Sequence, residues 1–324
     1  MNADNLAIGI DVGGTKALAL LVAPDGTVVH EIRAASAHDA TKGPGVAMAE
    51  VMAGQIMEMC VAHNLDVATT PVGIGVPGLV RRDGTLAYAP NLQSSSEANF
   101  PELLGRMSGS LKVFMENDGN AAAVAEHAWG AGQGKSEFAL VALGTGLGGG
   151  IIANGELIRG SNGFGGEFGH MIVRAGGITC NCGRQGCWER YVSGTGLGTL
   201  TRTAAVEGRL PELVAQRGGP ELVRAEDVTS AAAAGSEEAR AVMSELAWWL
   251  ALGISNLVEI FDIGHFVIGG GLSTASGELL PETAELLVEL VMAGDKYPGF
   301  TLEPATLGER AGALGAALVA MRRA

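Results

Sequence analysis

The sequence predicts an α/β fold built by internal duplication, as two lobes facing each other across a cleft. Three observations predict it. A strand–glycine turn–strand–turn–strand pattern opens the chain and recurs about 130 residues later. Stretches with strand and helix periodicity alternate along the 324 residues. Glycine is abundant, 50 residues in all, and clusters in the turns between those stretches.

Residues 6–11 are an apolar run and predict a strand, followed by the turn Val12-Gly13-Gly14-Thr15-Lys16 and a second strand over 17–22. Pro24-Asp25-Gly26 is a further turn, and residues 27–32 form a third strand. Apolar side chains at helical spacing predict a helix over 46–62. Residues 72–76 and 111–115 read as short buried strands, the second leading into Glu116-Asn117-Asp118. The alanine-rich stretch 120–129 predicts a helix that stops at Gly130. The opening pattern then returns. A strand over 138–143 meets the glycine-rich turn 144–150, a strand over 151–153, the hairpin turn Asn154-Gly155 and a strand over 156–158. Further on, residues 237–261 predict a long helix, 265–268 a strand ending in Gly269-Gly270-Gly271, and 312–323 a last helix.

Composition narrows the function. With 47% hydrophobic and 17% charged residues the chain is a folded globular protein. A formal charge of −14 argues against a nucleic-acid or anionic-membrane partner. No apolar run reads as a membrane span and no secretory leader is visible, so the expected location is cytoplasmic.

Three of the four cysteines, Cys180, Cys182 and Cys187, fall within eight residues, with His170 just upstream. One histidine and three cysteines make a complete ligand set for a structural zinc. Pairing of Cys180 or Cys182 with Cys187 as a redox device is the competing reading, but the usual two-residue spacing is missing. Cys60, alone in a Met-rich helical stretch, reads as a small buried hydrophobe. Glu167 and Glu189 bracket the cluster. The turn at Gly13-Gly14-Thr15-Lys16 has neither the P-loop nor the dinucleotide spacing. Two such turns in duplicated units, with a triple glycine after a third strand, point to backbone N–H groups gathered around a polyphosphate.

Taken together, these segments resemble the ROK family (repressors, uncharacterised reading frames and sugar kinases), and within it the bacterial glucokinases. The resemblance rests on the segments beginning at Asp11, Glu116, Leu143, Gly166, Cys180 and Gly269, which run in family order through nearly the whole chain. It implies the duplicated actin-like (ribonuclease H-like) sugar-kinase fold. It divides the chain into a smaller lobe of residues 1–118 plus 306–324 and a larger one of 119–305 carrying the zinc loop. It implies ATP-dependent phosphorylation of D-glucose at its 6-hydroxyl, with Mg2+, a structural Zn2+, and a homodimer or homotetramer. By the same resemblance Asp118 is the general base, although its place before a helix would also make it a cap. Asn91, Asn117, Glu167, His170 and Glu189 are implied as sugar contacts, and His170, Cys180, Cys182 and Cys187 as zinc ligands. Gly13, Gly14, Thr15, Lys16, Gly144, Thr145 and Gly146 are implied as phosphate loops. Gly270 falls on the adenosine side, and Asp11 at the Mg2+. Many relatives have a tryptophan shortly after the Asn-Leu pair, and residues 93–100 here have none. That departure places sugar preference at the 91–100 edge. Kinases of fructose, mannose or N-acetylmannosamine, a polyphosphate-using glucokinase and a sugar-sensing repressor are the alternatives. The early first loop and the acidic charge argue against the last.

Overall fold

The structure is a computed structural model that describes residues 5–324 apart from Asn91, Ser110, Ala275 and Ser276. It opens with β1 (Ala7–Val12), β2 (Lys16–Val22), β3 (Val28–Ala35), α1 (Val46–His63) and β4 (Pro71–Val76). Three short strands follow, β5 (Leu79–Val80), β6 (Thr85–Tyr88) and β7 (Ala98–Asn99), then α2 (Phe100–Ser108), β8 (Lys112–Asn117) and α3 (Asp118–Trp129). The second series starts with β9 (Phe138–Leu143), β10 (Leu147–Ala153) and β11 (Glu156–Leu157). It continues through α4 (Glu189–Val192), α5 (Gly194–Val206), α6 (Pro211–Arg217), α7 (Ala225–Ala233) and α8 (Glu237–Phe261). The chain closes with β12 (His265–Gly269), α9 (Leu279–Leu290), β13 (Thr301–Pro304) and α10 (Ala311–Arg323).

The duplication shows in the sheets. One runs β3-β2-β1-β4-β8 and the other β11-β10-β9-β12-β13, so each repeat has the same strand order. In the first, β1 pairs antiparallel with β2 and parallel with β4, and β4 pairs parallel with β8. In the second, β12 pairs parallel with both β9 and β13. A small sheet β5-β6-β7 has no counterpart in the sequence reading.

By contact the chain forms two compact units. One holds residues 1–136, 149–166 and 306–324, the other 137–148 and 167–305. Residues 119–136 and 149–166, expected with the larger lobe, cluster with the first unit because α3 packs on α10. In that unit Ile8, Ile10, Val12, Val72, Ile74 and Val76 of the central strands form a core with Met48, Met52 and Ile56 of α1. The other face of β1 and β4 lies under α10. A Cβ at Gly9 would collide with the Ala313 carbonyl, one at Gly73 with the Ala316 carbonyl, and one at Gly315 with the Ala121 carbonyl. The helix therefore rests almost directly on backbone. In the second unit Phe138, Trp188, Tyr191 and Phe266 are fully or nearly fully buried. Trp188 donates its indole N–H to the Trp249 carbonyl at 2.8 Å, which ties the segment after the cysteines to α8.

Two boundaries and one reading of composition differ from expectation. The helix begins at Asp118, since the Asn117 side chain accepts the N–H of Asn120 at 3.0 Å and caps it. Gly148, Gly149 and Gly150 belong to β10 and not to the turn; α3 crosses closely at the last two, where a Cβ at Gly119 would lie 2.4 Å from the Gly149 nitrogen and one at Gly150 2.8 Å from the Cβ of Ala123. Helix α8 is long and apolar enough to cross a membrane by length and composition, against the expectation of no such run. Yet 61% of its most apolar window is buried, and it packs on α7 and α9 as a core helix.

One buried carboxylate organises the end of α3. Glu126 is fully buried. Its Oε1 accepts the N–H groups of Thr306 at 3.0 Å and Leu307 at 2.8 Å, and its Oε2 that of Ala131 at 2.9 Å and the Thr306 hydroxyl at 3.3 Å. These bonds recover the desolvation of the charge.

Candidate active site

In the first unit the C-terminal ends of β1 and β8 bring two carboxylates together, Asp11 and Asp118. Asp118 is the first residue of α3, and its Oδ1 accepts the N–H of Gly119 at 2.8 Å. Burial raises its pKa, against the pull of backbone N–H donors. Asp11 is pushed up from 3.8 to about 7, by burial first and by the Asp118 charge second, with Lys16 opposing. The start of α10 closes on this carboxylate, so that a Cβ at Gly312 would lie 2.7 Å from its carboxyl carbon. Two desolvated carboxylates that repel each other make a place for a divalent cation.

The turn after β1 is closed by the Gly13 N–H on the Lys16 carbonyl at 2.8 Å. The other carbonyls of the turn are also engaged. Ser36 donates its hydroxyl to Gly13 at 2.7 Å and its N–H to Thr15 at 3.0 Å, and the His38 Nε2–H reaches Gly14 at 2.7 Å. The carbonyl dipoles are thus bound on the protein side, which suits an anion at the amide face. Lys16 itself pairs with Glu309 at 2.9 Å, and Arg33 holds the other oxygen of Glu309 at 2.6 Å. Asn117 uses its side chain to cap α3 and to donate to the Gly78 carbonyl at 3.2 Å. Asn91 lies outside the described residues.

In the second unit His170, Cys180, Cys182 and Cys187 come together, their ligand atoms all within 4.8 Å of one another. Cys180 Sγ lies 3.7 Å from His170 Nδ1, and Cys182 Sγ 3.6 Å from Cys187 Sγ. Ligands about 2.0–2.3 Å from one tetrahedral ion stand about 3.5–3.8 Å apart, so this donor set fits a zinc. The turn that shapes it has the Cys180 N–H on the Arg184 carbonyl at 2.8 Å and the Gly183 N–H on the Cys180 carbonyl at 3.0 Å. The thiols of Cys180 and Cys187 are raised, chiefly by burial. Burial acts on Cys182 too, but hydrogen bonds with Arg184, Cys180 and Cys187 together outweigh it and bring that thiol down to about 7. No disulfide forms among the described residues.

Two carboxylates flank His170. Glu189 Oε1 lies 3.9 Å from Nδ1 and accepts the Cys180 thiol at 2.9 Å, while Glu167 Oε2 lies 4.0 Å from Nε2. Glu189 also reaches the second glycine turn, where a Cβ at Gly146 would lie 2.8 Å from its Oε2. Gly144 and Thr145 are braced from the start of α5. The Gly194 N–H donates to the Gly144 carbonyl at 2.8 Å, and the Thr195 hydroxyl to that of Thr145 at 3.0 Å. Gly270 has φ +82°, and a Cβ there would lie 3.0 Å from the Gly144 nitrogen, which places the triple-glycine turn against this loop.

Ser36, His38, Glu309, Ser193, Thr195 and Arg184 take part in these arrangements, and the sequence reading missed all six. Only Ser193 had a local signal, as a cap before the glycine-rich start of α5.

The ROK family profile matches residues 7–323. The chain belongs to the ROK family. It is 35% identical to a glucokinase of Streptomyces coelicolor over 96% of both chains. A ROK family glucokinase from Streptomyces griseus, solved with glucose and AMPPNP, matches with a TM-score of 0.80 and 33% identity over 98% of this chain and 99% of that one. The family also holds regulators. A xylose repressor of Caldicellulosiruptor bescii is 30% identical over 75% of this chain and 60% of its own length. These likenesses support a sugar kinase of the ROK family with an actin-like fold.

Proposed function

We propose that the chain is an ATP-dependent glucokinase that phosphorylates the 6-hydroxyl of D-glucose. The observation that carries the reading is the Asp11–Asp118 pair, in a chain similar along its length to glucokinases. The attacking hydroxyl must give up its proton, and Asp118 is the base. Burial raises its proton affinity, which suits a group that takes a proton in one step and returns it to solvent later.

Sugar hydroxyls donate and accept, and we assign them to Asn91, Asn117, Asp118, Glu167, His170 and Glu189. Phosphate oxygens are assigned to the turn Gly13, Gly14 and Thr15, through the amides of Gly14 and Thr15, to the Lys16 ammonium, and to Gly144, Thr145 and Gly146, with Gly270 toward the adenosine. Asp11 is the carboxylate for Mg2+, which when bound supplies charge neutralisation at the phosphates. His170, Cys180, Cys182 and Cys187 hold a structural zinc, which when bound fixes the loop carrying His170 and Glu189. We place the protein in the cytoplasm, as a homodimer or homotetramer.

The test is Mg-ATP-dependent phosphorylation of glucose, mannose, fructose, N-acetylglucosamine and N-acetylmannosamine by purified protein. Strong glucose preference is the expected result. Preference for another sugar would move the substrate and keep the mechanism. Binding of sugar without turnover by folded, zinc-loaded protein would overturn the kinase reading in favour of a regulator.

A further inference from the structure

Two arginines of the first unit, Arg159 and Arg323, face the Glu116 carboxylate, and a third, Arg82, binds the backbone directly after Arg159. Glu116, only 4% exposed, accepts Arg159 Nε at 2.6 Å on Oε2. Its Oε1 takes the Asn117 N–H at 3.2 Å and Asn120 Nδ2 at 3.4 Å. Arg323 reaches Oε2 only at 3.7 Å, beyond hydrogen-bonding distance. Arg82 donates to the carbonyls of Gly160 and Ser161, at 2.6 and 2.8 Å, directly after Arg159. Three guanidiniums and one carboxylate leave a formal excess of positive charge, in a chain whose total is −14. Burial lowers the pKa of Arg323, and the charges of Arg159 and Arg82 lower it further against the pull of Glu116. The Arg323 side chain is 38% exposed, so the cluster opens to solvent on that side.

A single carboxylate already carrying Arg159 and two N–H donors has little left for a second arginine. The donors of Arg323 are therefore available to an outside acceptor. Guanidinium forks match the oxygens of a tetrahedral oxyanion two at a time. The geometry points to a second anion site at Arg82, Arg159 and Arg323, separate from the Gly13–Lys16 turn, that takes a phosphate group, free or as a phosphomonoester. Glu116 directly precedes Asn117 and Asp118, so an anion here acts on the residue behind the base.

Calorimetric titration of the full chain with inorganic phosphate, and separately with methyl phosphate, tests this at constant ionic strength against chloride. One saturable site is expected in the wild type and in Lys16→Ala, a variant that weakens the phosphate turn. Arg323→Gln should raise Kd about tenfold or more, the scale of one lost charge-assisted contact. Arg82→Gln should weaken binding in the same direction and serves if Arg323→Gln does not fold. Binding of both anions assigns the site to the phosphate group itself, and binding of methyl phosphate alone to a monoester. Absence of saturable binding, binding untouched by both arginine variants, or binding lost in Lys16→Ala would each overturn the inference. Since the readout is binding and not turnover, its failure is distinct from failure of the kinase reading.

Discussion

Replacing Asp11 by asparagine should stabilise the protein at alkaline pH far more than at acid pH. The folded-state pKa of this carboxyl is about 7 against an ordinary 3.8. The native state binds the proton more tightly than the unfolded chain. Its contribution to stability is therefore fully present below pH 3.8 and is lost as pH rises toward 7. Each pH unit within that window is worth about 1.4 kcal/mol. Between pH 5 and 7 the wild type thus loses about 2 kcal/mol from this one group, and only about 0.4 kcal/mol more above 7, where the folded-state carboxyl completes its ionisation. Asparagine has no charge to desolvate, so Asp11→Asn should gain about 3 kcal/mol on wild type between pH 5 and 8. Removing the charge also relieves Asp118, which acts in the same direction. Urea unfolding of both proteins at pH 5, 6, 7 and 8, without added divalent cation, gives the difference directly. Millimolar Mg2+ at pH 8 should then stabilise the wild type and leave the variant unmoved. A difference that stays flat from pH 5 to 8 would refute the desolvated-pair argument.

Four further outcomes are expected. Asp118→Asn should lower kcat by about 10²–10⁴-fold while the protein stays folded and binds glucose, checked by steady-state kinetics and calorimetry; near-normal turnover would remove Asp118 as the base. Cys182→Ser should lose zinc by elemental analysis and lower Tm by several degrees, and unchanged metal content would reject the ligand set. Glu309→Gln frees Lys16 from an exposed pair, so KM for Mg-ATP should fall by about two- to fivefold at low salt and converge with wild type at high salt. Glu126→Gln sets an amide NH2 against N–H donors in a dry site and should cost about 2–4 kcal/mol in urea unfolding.

The parts of this fold visible in the sequence are those written in neighbouring residues. The strands around Gly13 and Gly144, the helix after Asp118 and the spacing of Cys180, Cys182 and Cys187 are local patterns. What stayed hidden depends on distance along the chain. Lys16 and Glu309 are 293 residues apart, and Glu126 and Thr306 are 180 apart. No periodicity joins such pairs. Gly148, Gly149 and Gly150 misled for a physical reason. Runs of glycine usually mark turns, yet here Gly149 and Gly150 thin a strand where α3 crosses it. The helices α4, α6 and α7 span nine residues or fewer, too short for a period of 3.6 to show, and β5 to β7 span four or fewer.

The bare approach of α10 to β1 and β4 also fixes an order of events during synthesis. The strands it covers are made before the helix, with the whole stretch 137–305 synthesised in between. Until then one face of the opening sheet, with Ala7, Leu18, Leu20 and Val22, lacks the cover that Ala313, Leu314 and Ala317 give it. The growing chain carries that apolar surface partly uncovered while residues 137–305 are made, a condition under which nascent proteins aggregate or engage chaperones. Contacts of such long sequence separation also make refolding from denaturant slow.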